Sequence, residues 1–187
     1  MAEFTIREAD ATDVPTIVRF LRLMVEEMAT LGGHAASQQD DVWKRLGEVT
    51  RAEVGKEEHL YLLAELSSAD AMAIGLAEAR VVKPASVFDI GQVLHVHALY
   101  VLPTYRRKGL GRTLLTGLLD WGQVQGYSQV LLDHKTGSDP QVGPDTIKHI
   151  GKGLVGLAYV PMESPRGHIH VHFIPPQLPA LAISLNS

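Results

Sequence analysis

Between Pro103 and a leucine-rich stretch the chain reads Arg106-Arg107-Lys108-Gly109-Leu110-Gly111-Arg112-Thr113, with four cationic side chains around two glycines. Glycine at 109 and 111 lets the main chain approach oxygen atoms with no Cβ in the way. If the loop opens a helix, its N–H groups and those of the first helical turn converge on one point, and arginine and lysine add charge opposite to that of an anion. The natural ligand of such a loop is a pyrophosphate. Taken alone, the same string also fits a tight turn with solvated basic side chains, so the flanking elements decide. No Gly-x-x-x-x-Gly-Lys-Ser/Thr is present, and the glycine pair lacks the third glycine and spacing of a dinucleotide fingerprint. This argues against nucleoside triphosphate and nicotinamide sites.

The elements that would hold the loop are legible from periodicity. Val93 to Val101 reads as a long strand, and about Gly111 to Gln125 as a helix whose inner face carries Leu114, Leu115, Leu118 and Trp121. Gly126-Tyr127 ends that helix, and Val130 to Asp133 is apolar enough for a buried strand beside the preceding one. Upstream, Phe4 to Arg7 alternates as a short strand and Asp10 to Asp13 offers caps. Val14, Ile17, Val18, Leu21, Val25 and Met28 then form one face of a helix that Gly32-Gly33 ends. A second helix is expected from about Gln39 to Glu53. His59 to Leu66 and Ala73 to Val82 read as an antiparallel hairpin, with Ser67-Ser68-Ala69-Asp70 as the turn. The stretch from His134 to Gly156 is rich in Gly, Pro and Asp and gives no clear elements, whereas His168 to Ile174 alternates as a last strand. One domain over 1–187 is expected, with 176–187 as a tail, and no internal repeat is found.

Composition narrows the function classes. At 45% apolar and 20% charged residues the chain is of ordinary globular type. A net charge of -4 argues against the broad basic surface that nucleic acid requires. The lack of cysteine removes disulfides, thiolate nucleophiles and cysteine-based zinc sites. No apolar run approaches the roughly 20 residues that cross a bilayer, and the first residues do not pair a basic segment with an apolar one. A cytoplasmic protein with no membrane contact is expected.

The segment Leu99-Tyr100-Val101-Leu102-Pro103-Thr104-Tyr105-Arg106-Arg107-Lys108-Gly109-Leu110-Gly111-Arg112-Thr113-Leu114-Leu115 closely resembles the acetyl-CoA-binding motif of the GNAT N-acetyltransferase superfamily, including its Arg-x-x-Gly-x-Gly core. The order of strand, helix, helix and antiparallel strands is similar too, so the resemblance spans about Phe4 to Asp133. It implies an α/β (α+β) fold: a mixed, mostly antiparallel sheet whose central parallel strand pair splays for acetyl-CoA, flanked by helices. It also implies acetyl-CoA as co-substrate, with no metal. The cofactor-binding residues it implies are Leu99, Tyr100, Val101, Arg106, Arg107, Lys108, Gly109, Leu110, Gly111, Arg112 and Thr113. Main-chain amides from about Arg107 to Arg112 would hold the pyrophosphate, with Arg106 beginning the loop, and Leu99 and Val101 would pair by main chain with the pantetheine arm. An amine would then attack the thioester directly, with a main-chain amide near Leu99 to Val101 polarising the carbonyl.

Aminolysis needs an amine that has lost its proton, so a base is expected nearby. His95 stands six residues before Val101, where some members of the family that the chain resembles carry a glutamate as base, and imidazole titrates near neutrality. His97 shares its face on a regular strand, but a bulge, which the family often shows, would change which side chains point at the substrate. Both also fit plain polar residues on a half-exposed strand face. Many family members place a tyrosine acid on the helix after the next strand. Here Asp145 to Tyr159 contains no Asn-x-x-Ala-x-x-x-Tyr arrangement, and Tyr159 reads as a packed strand residue. That departure keeps open a non-catalytic acyl-CoA-binding or regulatory module of the same fold. His168, His170 and His172 alternate and could present three imidazoles to one metal, but a surface or substrate-facing row is the simpler expectation. Glu26, Glu27, Asp40 and Asp41 flank the region where family members often build the amine pocket, or are plain solvated charges. The expected partner is a small-molecule or peptide amine, with no nucleic acid, and an exposed last strand could pair across a homodimer.

Overall fold

Near-continuous apolar runs in 59–66 and 73–82 make the hairpin against which the rest of the architecture is laid. The computed structural model describes residues 3–30, 40–67, 71–83, 92–127, 129–133, 157–161 and 168–173. Its strands are β1 (Phe4–Glu8), β2 (His59–Leu66), β3 (Ala73–Val82), β4 (Val93–Val101), β5 (Gln129–Asp133), β6 (Leu157–Pro161) and β7 (His168–Phe173), and its helices α1 (Val14–Thr30), α2 (Asp40–Glu53) and α3 (Leu110–Val124). The strands form one sheet in the order β1-β2-β3-β4-β5-β7-β6. Every neighbouring pair is antiparallel except β4 and β5, which run parallel across the α3 crossover.

The sheet is covered on both faces, which is why β2 and β3 are almost continuously apolar. One face presents Leu60, Leu62, Ala77, Ala79, Leu94 and Val96 to Leu110, Leu114, Leu115, Leu118 and Leu119 of α3. The other presents Tyr61, Leu63, Leu76, Ala98 and Tyr100 to Ile17, Phe20 and Leu21 of α1. Gly122 brings α3 close to the sheet: a Cβ there would lie 2.5 Å from Leu94 Cδ2.

The entry into α1 is pinned by charge. Residues Ala11–Asp13 form a single 3-10 turn in which Asp10 accepts from the Thr12 N–H and Asp13 reaches back to the Asp10 N–H, a reciprocal capping box. Arg7 of β1 clamps Asp13 with two bonds of 2.7 and 2.8 Å and also holds Glu65 of β2. Its guanidinium and the Asp10 N–H hold the Asp13 carboxyl below the ordinary aspartate range against the opposing effect of burial.

Two elements go beyond the sequence reading. Residues 157–161 form β6, which places Tyr159 on a strand as expected, and β7 lies between β5 and β6, so the last strand is internal to its ladder. The homodimer expectation rested on that strand being an exposed edge, and an internal strand has no free ladder to offer.

Candidate active site

Strand β4 leaves its parallel neighbour part-way along. Its pairing with β5 runs through Leu94↔Val130, His95↔Leu131 and Val96↔Leu132 and stops there, while β4 itself continues to Val101. On the other side β4 stays paired with β3 to its end. The Leu102 N–H bonds the Ile74 carbonyl at 3.0 Å, so strand alternation turns the N–H and C=O groups of Leu99 and Val101 away from β3, toward the opening that β5 leaves. An extended ligand could add to that edge by main-chain hydrogen bonds.

The glycine loop follows at once. Pro103–Tyr105 make a short 3-10 turn, and the chain then passes through left-handed conformations at Arg107 (φ 62°) and Gly109 (φ 84°). Gly109 is the N-cap of α3 and supplies no side-chain cap, and the Thr113 N–H is bonded to the Gly109 carbonyl at 3.0 Å. The N–H groups of Leu110, Gly111 and Arg112 therefore lie in the first helical turn, where no intrahelical acceptor exists and the helix dipole adds positive potential. A Cβ at Gly109 would meet nothing within 4 Å, so the outer side of the loop is open, and one at Gly111 would stand 3.9 Å from Val101 Cγ2. The loop thus fits a pyrophosphate.

Side chains along the loop divide into two groups. Arg107, Lys108, Arg112 and Thr113 are exposed. Lys108 bonds the Thr104 carbonyl and lies over the Tyr105 ring, and the Thr113 hydroxyl bonds the Gly109 carbonyl. Leu110 has only its main chain to offer at the loop, since the residue is 2% exposed and its side chain packs into the core between α3 and the sheet. Tyr100 is likewise buried among α1 residues, with its hydroxyl donating to Glu27 at 3.1 Å.

Arg106 begins the loop by main chain, as expected, but its guanidinium is committed elsewhere. Nη1 and Nη2 each donate to a Glu27 oxygen at 2.6 Å, Nε donates to the Val101 carbonyl at 2.8 Å, and the group lies over the Tyr100 ring. The Arg106 fork is the main reason that the Glu27 carboxyl titrates below the ordinary glutamate range, with the Tyr100 hydroxyl adding to it and burial opposing. Glu27 is thus neither a solvated charge nor an unpartnered acid awaiting an amine. Glu26 and Asp41 do follow the plain reading, pairing with Arg22 and Arg45 one helical turn away, and Asp40 is exposed.

His95 and His97 are brought together, with ring centroids 5.6 Å apart in an edge-on arrangement, yet they are not equivalent. Glu78 of β3 pairs with Ala98 and Ala79 with Val96, so His97 is the extra residue of a bulge. The bulge reverses the alternation of β4. Leu94 and Val96 face α3 before it, and Leu99 and Val101 do so after it, while Ala98 and Tyr100 face α1. His95 is half-buried opposite Arg80, and His97 is exposed.

Sequence reasoning missed a polar group on the α2 side of the sheet. Glu78 is 1% exposed and accepts from Arg80 at 2.7 Å, and its neighbour across the strands, Tyr61, donates to Glu53 of α2 at 2.9 Å. Burial, then the charge of Glu78, pushes the Tyr61 phenol up. The available signal was the pair Glu78 and Arg80 spaced by one residue inside an apolar strand. His168, His170 and His172 occupy alternate positions of β7, opposite Asp133, Leu131 and Gln129, and their imidazoles lie outside the described residues, as does 134–156. Among the described residues, no group of three or more metal-ligating side chains occurs, and no helix is long and apolar enough to cross a membrane.

Comparison with solved structures returns this fold repeatedly. A predicted acetyltransferase from Clostridium acetobutylicum, solved with acetyl-CoA, superposes with a TM-score of 0.62 at 18% identity, covering 80% of this chain and 89% of that one. PaiA N-acetyltransferase from Thermoplasma acidophilum, in complex with coenzyme A, gives 0.62 at 19% identity over 91% and 99%. AAC(6')-Iy, in complex with the bisubstrate analogue CoA-S-monomethyl-acetylneamine, gives 0.60 at 18% identity over 80% and 90%. No curated protein matches the chain at a significant level. The sequence profile of the acetyltransferase (GNAT) family matches residues 22–142, which include the second half of α1, α2, the hairpin, β4, the glycine loop, α3 and β5. The chain belongs to the GNAT acetyltransferase family.

Proposed function

We propose that the protein transfers the acetyl group of acetyl-CoA to a primary amine of a small molecule or peptide. The observation that carries this reading is the junction at the end of β4. There the main-chain N–H groups of Leu99 and Val101 and the Leu99 carbonyl, which face away from β3 and pair with no other described strand, run directly into a loop and helix start suited to a pyrophosphate, while the Val101 carbonyl is held by Arg106. Family membership and the coenzyme A ligands of the structural neighbours support it.

The thioester of acetyl-CoA supplies the activated acetyl group. The chain's own part is threefold. The amides from Arg107 to Arg112, with the exposed side chains of Arg107, Lys108 and Arg112, bind the pyrophosphate. The main chain of Leu99 and Val101 orients the arm that leads from it, and an amide of this stretch polarises the carbonyl. His95 or its bulge neighbour His97 takes the proton of the incoming amine, directly or through water.

A second reading, a module that binds acyl-CoA without turnover, is favoured by one observation: residues 145–159 lack the tyrosine arrangement that many family members use as acid. Calorimetric titration of acetyl-CoA into wild type and Gly109→Trp tests the site, and thiol release against a panel of amines then separates the two readings. Saturable binding lost in the variant, followed by amine-dependent thiol release, is expected. Binding with no release from any amine would favour the module. No binding by wild type would overturn both.

A further inference from the structure

An arginine at the head of a pyrophosphate loop invites the assumption that it reaches the phosphates. Here three of its five N–H groups already point at oxygens of the chain itself: two at Glu27, 79 residues away on α1, and one at the Val101 carbonyl at the end of β4. Glu27 accepts a third bond from Tyr100, so both of its oxygens are engaged and the charge of Arg106 is matched locally. The pair is half-buried, with side chains 33% and 34% exposed, and a bidentate fork holds both partners in one plane. Arg107, Lys108 and Arg112 are exposed on the loop.

Resting on the acetyl-CoA reading above, we propose that Arg106 is a positioning residue and not a phosphate ligand. With Glu27 and Tyr100 it forms a clasp that sets how the glycine loop leaves β4, and so makes α1 part of the cofactor site. The clasp has an unusual sign. Glu27 is an anion placed beside a site for an anion, so on charge alone its removal should tighten binding. As a clasp, its removal loosens the loop and weakens binding.

The test is acetyl-CoA titration of wild type, Glu27→Gln, Arg106→Gln, Arg106→Lys and the Glu27→Gln/Arg106→Gln double variant, each well below its melting temperature and at several salt concentrations. Each single variant is expected to bind about tenfold more weakly, and the double variant no more weakly than either single, because one interaction is lost in all three. Arg106→Lys keeps the charge but not the fork, so it should not rescue, and the salt dependence of binding should stay at the wild-type value. The inference is overturned if Glu27→Gln binds as tightly as wild type or tighter, or if Arg106→Lys restores affinity while Arg106→Gln lowers the salt dependence. Should Arg106→Gln not fold, Glu27→Gln and Arg106→Lys decide alone. Absence of binding by wild type would instead remove the acetyl-CoA reading, and the inference with it.

Discussion

Replacing Asp13 with alanine should cost the fold about 2 kcal/mol at neutral pH, in two roughly equal parts. The first is the cap: the Asp10 N–H, bonded to Asp13 at 2.9 Å, loses its acceptor at the entry to α1, which costs about 1 kcal/mol. The second is the Arg7 fork, whose two bonds of 2.7 and 2.8 Å vanish. That loss is held to about 1 kcal/mol, because Arg7 is 40% exposed at its side chain and keeps Glu65 as partner. In a chain of this size the sum lowers the melting temperature by about 4–8 °C. The pH dependence gives a second check. The folded Asp13 carboxyl titrates below its ordinary value of 3.8, so its stabilisation is fully present above that value and is lost as the pH falls through the lowered one. Urea unfolding of wild type and Asp13→Ala should therefore show a gap that is full at neutral pH and closes in acid below 3.8. A gap under about 0.5 kcal/mol at neutral pH, or one undiminished in strong acid, would refute the reasoning.

Other substitutions probe the core and the chemistry. Leu118, fully buried beneath α3, should lose about 3 kcal/mol as Leu118→Ala, read by denaturant midpoint at unchanged slope. Gly122→Ala adds a methyl 2.5 Å from Leu94 Cδ2, and overpacking outweighs the helix preference of alanine for a net loss of about 1 kcal/mol. Combined with Leu94→Ala its cost should fall below the sum of the singles, and a simple sum would show that the two do not touch. His95→Ala should lower kcat/KM for an accepted amine by about 100-fold with acetyl-CoA affinity unchanged, and His97→Ala by less. A His95→Ala enzyme within about threefold of wild type would place the base elsewhere.

Most of the framework was legible because it rests on local signals. Period and caps placed α1, α2 and α3 to within a residue or two, and β2, β3 and β4 to the residue, since each is a long apolar run bounded by glycine, proline or polar turns. The glycine loop was readable for the same reason: phosphate-type loops are built from contiguous residues. What stayed hidden depends on partners far apart in the chain. Nothing in the spacing of Glu27 and Arg106 announces a fork across 79 residues. The position of β7 between β5 and β6 was equally beyond local pattern, because strand order is set by crossovers and not by alternation.

The bulge at His97 divides β4 into two halves of opposite parity. Before it, even-numbered residues look toward α3, and after it the odd-numbered ones do. Any argument that counts along this strand by twos, whether to choose a substitution, graft a ligand-facing residue or align a distant relative, must restart its count at residue 97. A single-residue deletion there would exchange inside for outside along the whole half from Ala98 to Val101, so the length of this strand is constrained as tightly as its composition.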